Sequence, residues 1–309
     1  DGLPLHLAIG LFDRVHRGHQ AVIGAASTGA RQSGGRSGVL TFWPHPSRVF
    51  QPDNPALMMS PPEIKEALLA AAGVDLILQK HFDLEFAGIR AEDFPEYLKT
   101  AFPDLAGVCI GENFRFGQGR KGDVSLLIER EKQMGIQVVS AARIRFNGER
   151  ISTTRIREAL QSGGMEEANR MLGYNYFSIG SVVPGNRKGR EIGTPTLNLP
   201  WNPECAPAFG VYAVRVCEWN PRNPTTCHLP GEGGIPGVAN FGLRPTVGDL
   251  AEPLLEVHLF RDPVPWTTGD RLKVEWLSFI RPERKFGSFE DLKRQIERDR
   301  DSTLRFFGG

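Results

Sequence analysis

The chain has 309 residues, 40% of them hydrophobic and 24% charged, with a formal net charge of +1. That length accommodates two domains, and that composition suits a globular protein with a substantial core. The near-neutral balance gives no global attraction to nucleic acid or an anionic membrane, so any anion binding must be local.

No apolar run reaches the length of a membrane span. The opening Asp1-Gly2-Leu3-Pro4 has no signal-peptide pattern, and the lack of an initiator Met predicts a few further native residues. Cys109, Cys205, Cys217 and Cys227 show neither C-x-x-C spacing nor a nearby histidine pair. They read as structural thiols of a cytoplasmic protein, not as a disulfide framework or a zinc site.

In the first half, short apolar runs at residues 7–10, 39–42, 74–78, 107–110 and 137–139 predict strands. Helical patterns lie between them at 19–32, at 62–72 with Gly73 as a stop, at 91–101, and at 125–134 behind Asp123. Such alternation predicts a parallel sheet with crossover helices, whose ligands bind beyond the carboxyl ends of the strands. After residues 168–172 the pattern changes. "GYNYFSIGSVVPG", "FGVYAVRVCEW", "LLEVHLF" and "RLKVEWLSFI" are short β-rich runs between Gly/Pro segments, which predicts an antiparallel sheet or small barrel. The last helix, "SFEDLKRQIERDRDSTLRFF", has Ser288 as N-cap, with Phe289, Leu292, Ile296 and Leu304 near one face to dock on the barrel. The boundary falls near Gly173, giving domains of residues 1–172 and 173–309.

Four polar segments follow strands of the first half. "GLFDRVHRGHQ" sets His16 and His19 around Gly18, where a glycine admits close backbone approach and a helix N-terminus favours phosphate. "TFWPHPSRVF" holds His45 between two prolines that stiffen its loop. "GENFRFGQGRKGD" combines Phe114 and Phe116 with Arg115, Arg120 and Lys121. "ERISTTRIREAL" offers Ser152, Thr153 and Thr154 at a helix start between Arg150 and Arg157. H-x-G-H alone has a plain alternative as capping or core histidines; four such segments on one sheet edge point to a polyphosphate site.

The second half has its own dense segment, "GSVVPGNRKGREIGTPTLNLP". Thr196 and Asn198, two apart on an extended strand, face one side and make an oxygen-rich pair suited to Mg²⁺ held with nucleotide phosphates. No Walker A pattern is present. Glu256, inside the strand "LLEVHLF", is either a solvated polar-face residue or a base able to assist a hydroxyl attacking a phosphate.

"GLFDRVHRGH", "TFWPHP", "NFRFG" and "ISTTRIR" resemble the adenylyltransferase signatures of the bacterial bifunctional riboflavin kinase/FAD synthetase family. "GNRKGREIGTPTLN", "GVYA", "GLRPT" and "EVH" resemble its riboflavin kinase module. The resemblance implies a Rossmann-like nucleotidyltransferase domain followed by a six-stranded antiparallel Greek-key barrel with a terminal helix. It implies that riboflavin becomes FMN in the barrel and that FMN becomes FAD in the α/β domain, each with ATP and Mg²⁺. By the same resemblance His16 and His19 stabilise the ATP phosphates, and Gly10, Phe12, Gly18, Arg150, Ser152, Thr153, Thr154 and Arg157 bind the nucleotide. Phe50, Asn113 and Phe116 receive the flavin. In the kinase module Gly185 and Gly189 contact ATP, Thr196 and Asn198 hold the metal, and Glu256 is the base. Riboflavin, FMN, FAD and ATP are then the partners, with neither nucleic acid nor membrane among them; an oligomer is compatible with the sequence. Arg14 departs from the usual glycine, and its side chain would either crowd the phosphate loop or add a phosphate contact. Pro184 replaces a usual histidine, and "PVPWTTGDRL" replaces the usual D-L-Y-G-x-x-L turn. Two other readings stay open from the sequence: a kinase with an impaired adenylylating half, and a non-catalytic flavin-binding regulator.

Overall fold

The run LHLAI is buried at every position and forms β1 (Leu5–Ile9), the central strand of a parallel sheet. Continuous apolar character suits a strand covered on both faces. β2 (Arg36–Trp43) and β4 (Leu105–Gly111) flank it, with β3 (Leu76–His81) and β5 (Gln137–Ala141) at the edges, in the order β3-β2-β1-β4-β5. All four pairings are parallel. The computed structural model describes residues 2–185, 196–229, 232–245 and 251–308. It divides into two compact units, Asp1–Thr153 and Thr154–Gly309.

In the first unit the crossover helices are α1 (Arg17–Ser33), α2 (Pro46–Phe50), α3 (Pro62–Ala71), α4 (Leu84–Ala87), α5 (Phe94–Ala101) and α6 (Val124–Met134). Asp123 caps α6 as predicted, accepting from the Ser125 and Leu126 N–H groups. Three of the differences from the sequence reading have identifiable reasons. β3 starts at Leu76 because Asp75 turns back to accept the Ser37 N–H and hydroxyl at 2.8 and 2.9 Å. α5 starts at Phe94, which puts Pro95 in the first turn, where its missing N–H does no harm. The segment read as a stiff loop around His45 contains helix α2, with Pro46 as its first residue. After β5, a short hairpin pairs β6 (Arg145–Phe146) with β7 (Glu149–Arg150).

The second unit opens with α7 (Thr153–Gln161) and α8 (Met165–Leu172). Asn169 ties α8 to the following sheet: its amide donates to the Trp276 carbonyl at 2.8 Å and accepts from the Tyr176 N–H at 2.7 Å. The sheet comprises β8 (Phe177–Ser181), β9 (Leu197–Pro200), β10 (Gly210–Glu218), β13 (Ile235–Pro245), β14 (Ala251–Leu259) and β15 (Arg271–Pro282), with a small hairpin of β11 (His228–Leu229) and β12 (Glu232–Gly233) between β10 and β13. Antiparallel pairing in the order β8-β15-β10-β13-β14-β9, with a Val183–Asn198 bridge between its two ends, makes a nearly closed six-stranded barrel. Edge-to-face contacts of Trp276 with Tyr212 and Phe241, at 4.7 and 5.3 Å, fill its core.

The terminal helix (Phe289–Phe306) is capped by Ser288, which accepts from the Asp291 N–H. Its buried positions are not the predicted apolar ones. Gln295, Asp299 and Thr303 are buried, whereas Leu292, Ile296 and Leu304 are half-buried; the Phe289 side chain lies outside the described residues. Arg281 on β15 explains the burial of Asp299, which accepts from Nε and Nη2 at 2.9 and 2.7 Å. The thiol reading also needs correction. Cys217 and Cys227 form a disulfide with Cα atoms 5.7 Å apart, because the loop after β10 folds back on that strand. Cys109 and Cys205 are buried outside that disulfide, and burial pushes the Cys109 thiol up to about 12, which leaves it inert. No helix among the described residues is long and apolar enough to cross a membrane.

Candidate active sites

In the order β3-β2-β1-β4-β5 successive strands are added on one side of β1 and then, from β4, on the other, so the turn after β1 lies at the point where such sheets bind ligands. That turn is unusual. Phe12, Arg14 and Val15 all have positive φ, at 54°, 58° and 31°. Buried polar contacts hold it there. Asp13 accepts from the N–H groups of Met59 and Ser60 at 3.0 and 3.1 Å, while Arg14 Nε donates to the Met59 carbonyl at 3.0 Å. Arg14, 0% exposed, is committed to this clamp. The left-handed backbone also explains why a glycine would fit its position.

His16 caps α1, its Nδ1 accepting the His19 N–H at 3.3 Å, which leaves Nε2 to carry the ring proton. The two imidazoles stack at 3.6 Å, and the buried Phe12 ring meets His19 edge-on at 5.2 Å. Burial lowers His16 to about 4. His19 is held well below its usual value chiefly by burial, with repulsion from a protonated His16 and from the Lys65 ammonium adding to it. Both rings are therefore neutral at pH 7. His19 Nδ1 is enclosed, with no hydrogen-bond partner among the described residues. Gly18 lies against this pair: a Cβ there would stand 3.1 Å from His16 Cε1. Gly10 lies under the Phe12 ring, 3.0 Å from where its Cβ would be.

The sequence reading missed Asp13, Thr41 and Lys65. Lys65 on α3 is 8% exposed and donates to Thr41 Oγ1 at 2.8 Å, and Thr41 donates to the Leu11 carbonyl at 3.1 Å. One signal was available. Lys65 stands three and four residues before Leu68 and Leu69, on the stripe that α3 buries.

The flavin candidates separate by exposure. Phe50 at the end of α2 is 58% exposed and meets Phe82 edge-on; Asn113 is exposed. Phe116 is 6% exposed and packs on Phe94 at 4.8 Å, so its ring belongs to the core. His45 caps α2 by accepting the Ser47 N–H at 3.1 Å, which is a bracing role. Arg150 is exposed on β7; Ser152 and Thr153 are half-buried at the end of the first unit. Thr154, exposed, and Arg157, half-buried, lie on α7 in the second unit.

In the barrel, β14 pairs β9 so that Glu256 stands opposite Asn198. Residues so placed share a face. Asn198 is 4% exposed, and its Oδ1 has no hydrogen-bond partner among the described residues. Gly185 presses on it: a Cβ there would fall 2.2 Å from Asn198 Nδ2. Thr196, two residues before Asn198, is exposed, as is Glu256. Gly189 lies outside the described residues.

Residues 4–155 match the FAD synthetase family model and residues 172–307 the riboflavin kinase model. The bifunctional riboflavin kinase/FMN adenylyltransferase of Escherichia coli K12 is 36% identical over 302 residues, covering 98% of this chain and 92% of that protein. The chain belongs to the bifunctional riboflavin kinase/FMN adenylyltransferase family. The Bacillus subtilis member is 34% identical, with 97% and 92% coverage. The crystal structure of a macrolide-efflux protein from Streptococcus pneumoniae, 29% identical, has a TM-score of 0.83 over 97% of this chain and 94% of that one. As a bifunctional riboflavin kinase/FMN adenylyltransferase, the protein is an ATP-dependent transferase that phosphorylates riboflavin to FMN and adenylylates FMN to FAD.

Proposed function

We propose that the two reactions use separate pockets, adenylylation in residues 1–172 and phosphorylation in residues 173–309. The observation that carries this reading is the segregation of two polar clusters, His16 with His19 in one unit and Asn198 opposite Glu256 in the other.

In the first pocket an FMN phosphate oxygen attacks the α-phosphorus of ATP. The new P–O bond forms as the bond to the β-phosphate breaks, and pyrophosphate leaves. Neutral His16 and His19 each present one ring N–H toward charge that grows on the phosphates, and burial strengthens such donors. Gly10, Phe12 and Gly18 shape the turn beneath them, and Arg150, Ser152 and Thr153 supply further donors to the triphosphate. Phe50 and Asn113 receive the flavin, with Phe116 backing them from the core. No protein nucleophile is needed, because positioning and charge stabilisation carry this chemistry.

In the second pocket Glu256 takes the proton of the ribityl 5′-hydroxyl as that oxygen attacks the γ-phosphorus of ATP and ADP departs. Thr196 and Asn198 are the residues that would hold Mg²⁺, and the enclosed Asn198 Oδ1, unpartnered among the described residues, is a hard oxygen donor that fits it. When bound, Mg²⁺ neutralises phosphate charge. Glu256 is exposed, as a base that meets an incoming substrate must be. A chromatographic time course from riboflavin, ATP and Mg²⁺ tests the order: FMN appears first and FAD follows. FAD formed with no FMN preceding it, and none convertible when supplied, contradicts the reading.

A further inference from the structure

We propose that Lys65 is a positioning residue for FMN adenylylation: through Thr41 it fixes the turn that carries His16 and His19, and its ammonium supplies a fixed positive charge behind His19. The proposal rests on the reading of His16 and His19 as the phosphate site.

The direction of the hydrogen bonds makes the case. The Thr41 hydroxyl has one proton and gives it to the Leu11 carbonyl, so toward Lys65 it acts as acceptor. The resulting chain, Lys65 Nζ to Thr41 Oγ1 to Leu11 O, ends on the backbone that begins the turn. Lys65 and Thr41 are both buried, which limits competition from water. Asp13, also buried, is the carboxylate that offsets the ammonium, and its own oxygens hold Met59 and Ser60. Loop and helix are thereby joined at Asp13, Arg14 and Lys65.

A lysine is an expensive choice for the buried stripe of a helix, where methionine would pack with similar length. Burial lowers Lys65 to about 8, while Asp13 pulls it the other way, so the group is still mainly charged at neutral pH. Among the described residues, His16 stacks on His19 at 3.6 Å, and the charge of Lys65 on α3 also bears on it. Lys65 thus opposes a proton on His19 until an anion arrives, and it adds attraction for that anion.

The test uses the full chain and three substitutions. Lys65→Met should lower kcat/KM for FMN adenylylation by about tenfold or more, while riboflavin phosphorylation by the same molecule stays at the wild-type level. In the ATP-free protein, the NMR titration of the His19 ring should move to higher pH in Lys65→Met, and Lys65→Arg should restore it. Thr41→Val, which keeps the charge and breaks the hydrogen-bond chain, should lower adenylylation without that titration shift. An unmoved His19 titration together with unchanged adenylylation in Lys65→Met overturns the proposal. If Lys65→Met does not fold, loss of neither activity in Thr41→Val overturns the positioning role. His19→Ala separates the two claims: undiminished FAD formation there removes the underlying reading, whereas its loss beside a silent Lys65→Met removes only the role of Lys65.

Discussion

Asn198 and Glu256 stand opposite each other on β9 and β14, with Leu197↔Val257 and Leu199↔Leu255 as the adjoining pairs. Those four apolar residues are buried. Strand alternation therefore sends them to the barrel core and sends amide and carboxylate together to the other face. Asn198 is enclosed and Glu256 exposed, which suits a fixed donor of oxygen beside a base that must reach substrate. Asn198→Leu keeps the branched shape and removes the oxygen. It should lower riboflavin phosphorylation by about 10–100-fold and raise the Mg²⁺ concentration needed, with adenylylation of supplied FMN retained. Initial rates across a Mg²⁺ series check this.

Gly185 gives an independent handle on the same amide. With 2.2 Å between its would-be Cβ and Asn198 Nδ2, Gly185→Ala must displace that side chain or its own backbone. The expected result is a higher KM for ATP in the kinase reaction and no change in FAD formation from FMN.

Arg14 sets backbone cost against a buried hydrogen bond. A left-handed non-glycine residue costs roughly 1–2 kcal/mol, and a hydrogen bond from a charged donor contributes roughly 1.5–3 kcal/mol. Arg14→Ala keeps the first and loses the second, so it should destabilise the first unit by about 2–3 kcal/mol. Arg14→Gly should recover about 1 kcal/mol of that and still form FAD. Urea denaturation followed by a probe in the first unit compares them.

The histidine pair makes stability depend on pH. His16 titrates at about 4 in the folded protein, mainly through burial, against an ordinary 6.5. Between those values the unfolded chain binds the proton and the folded one does not, so stability falls as pH drops from 6.5 toward 4. The contribution is complete above 6.5 and amounts to about 3 kcal/mol. His16→Asn should flatten the curve over that interval, as measured by denaturation at successive pH values.

Much of the fold was legible because period and punctuation agreed. β1 reads as unbroken apolar, Asp123 announces α6, and Ser288 announces the terminal helix. What stayed hidden depends on contacts between distant segments. Cys217 and Cys227 meet only after a loop folds back, and buried Asp299 is paired with Arg281 from a strand eighteen residues earlier. In the sites, the motifs led to His16, His19, Asn198 and Glu256. They passed over Lys65 and Asp13, whose importance comes from α3 and the residues before it packing on a turn some fifty residues earlier in the chain. The motif could not show that the Phe116 ring is buried against Phe94, because that contact joins segments some twenty residues apart.

The independence of the two pockets is tested most directly by assaying both half-reactions in purified Glu256→Ala and His19→Ala chains. Glu256→Ala should lose FMN formation by about 10²–10⁴-fold yet still convert supplied FMN to FAD. His19→Ala should lose FAD formation by about 10²-fold or more yet still phosphorylate riboflavin. A single substitution that abolishes both reactions in a folded chain would contradict the account.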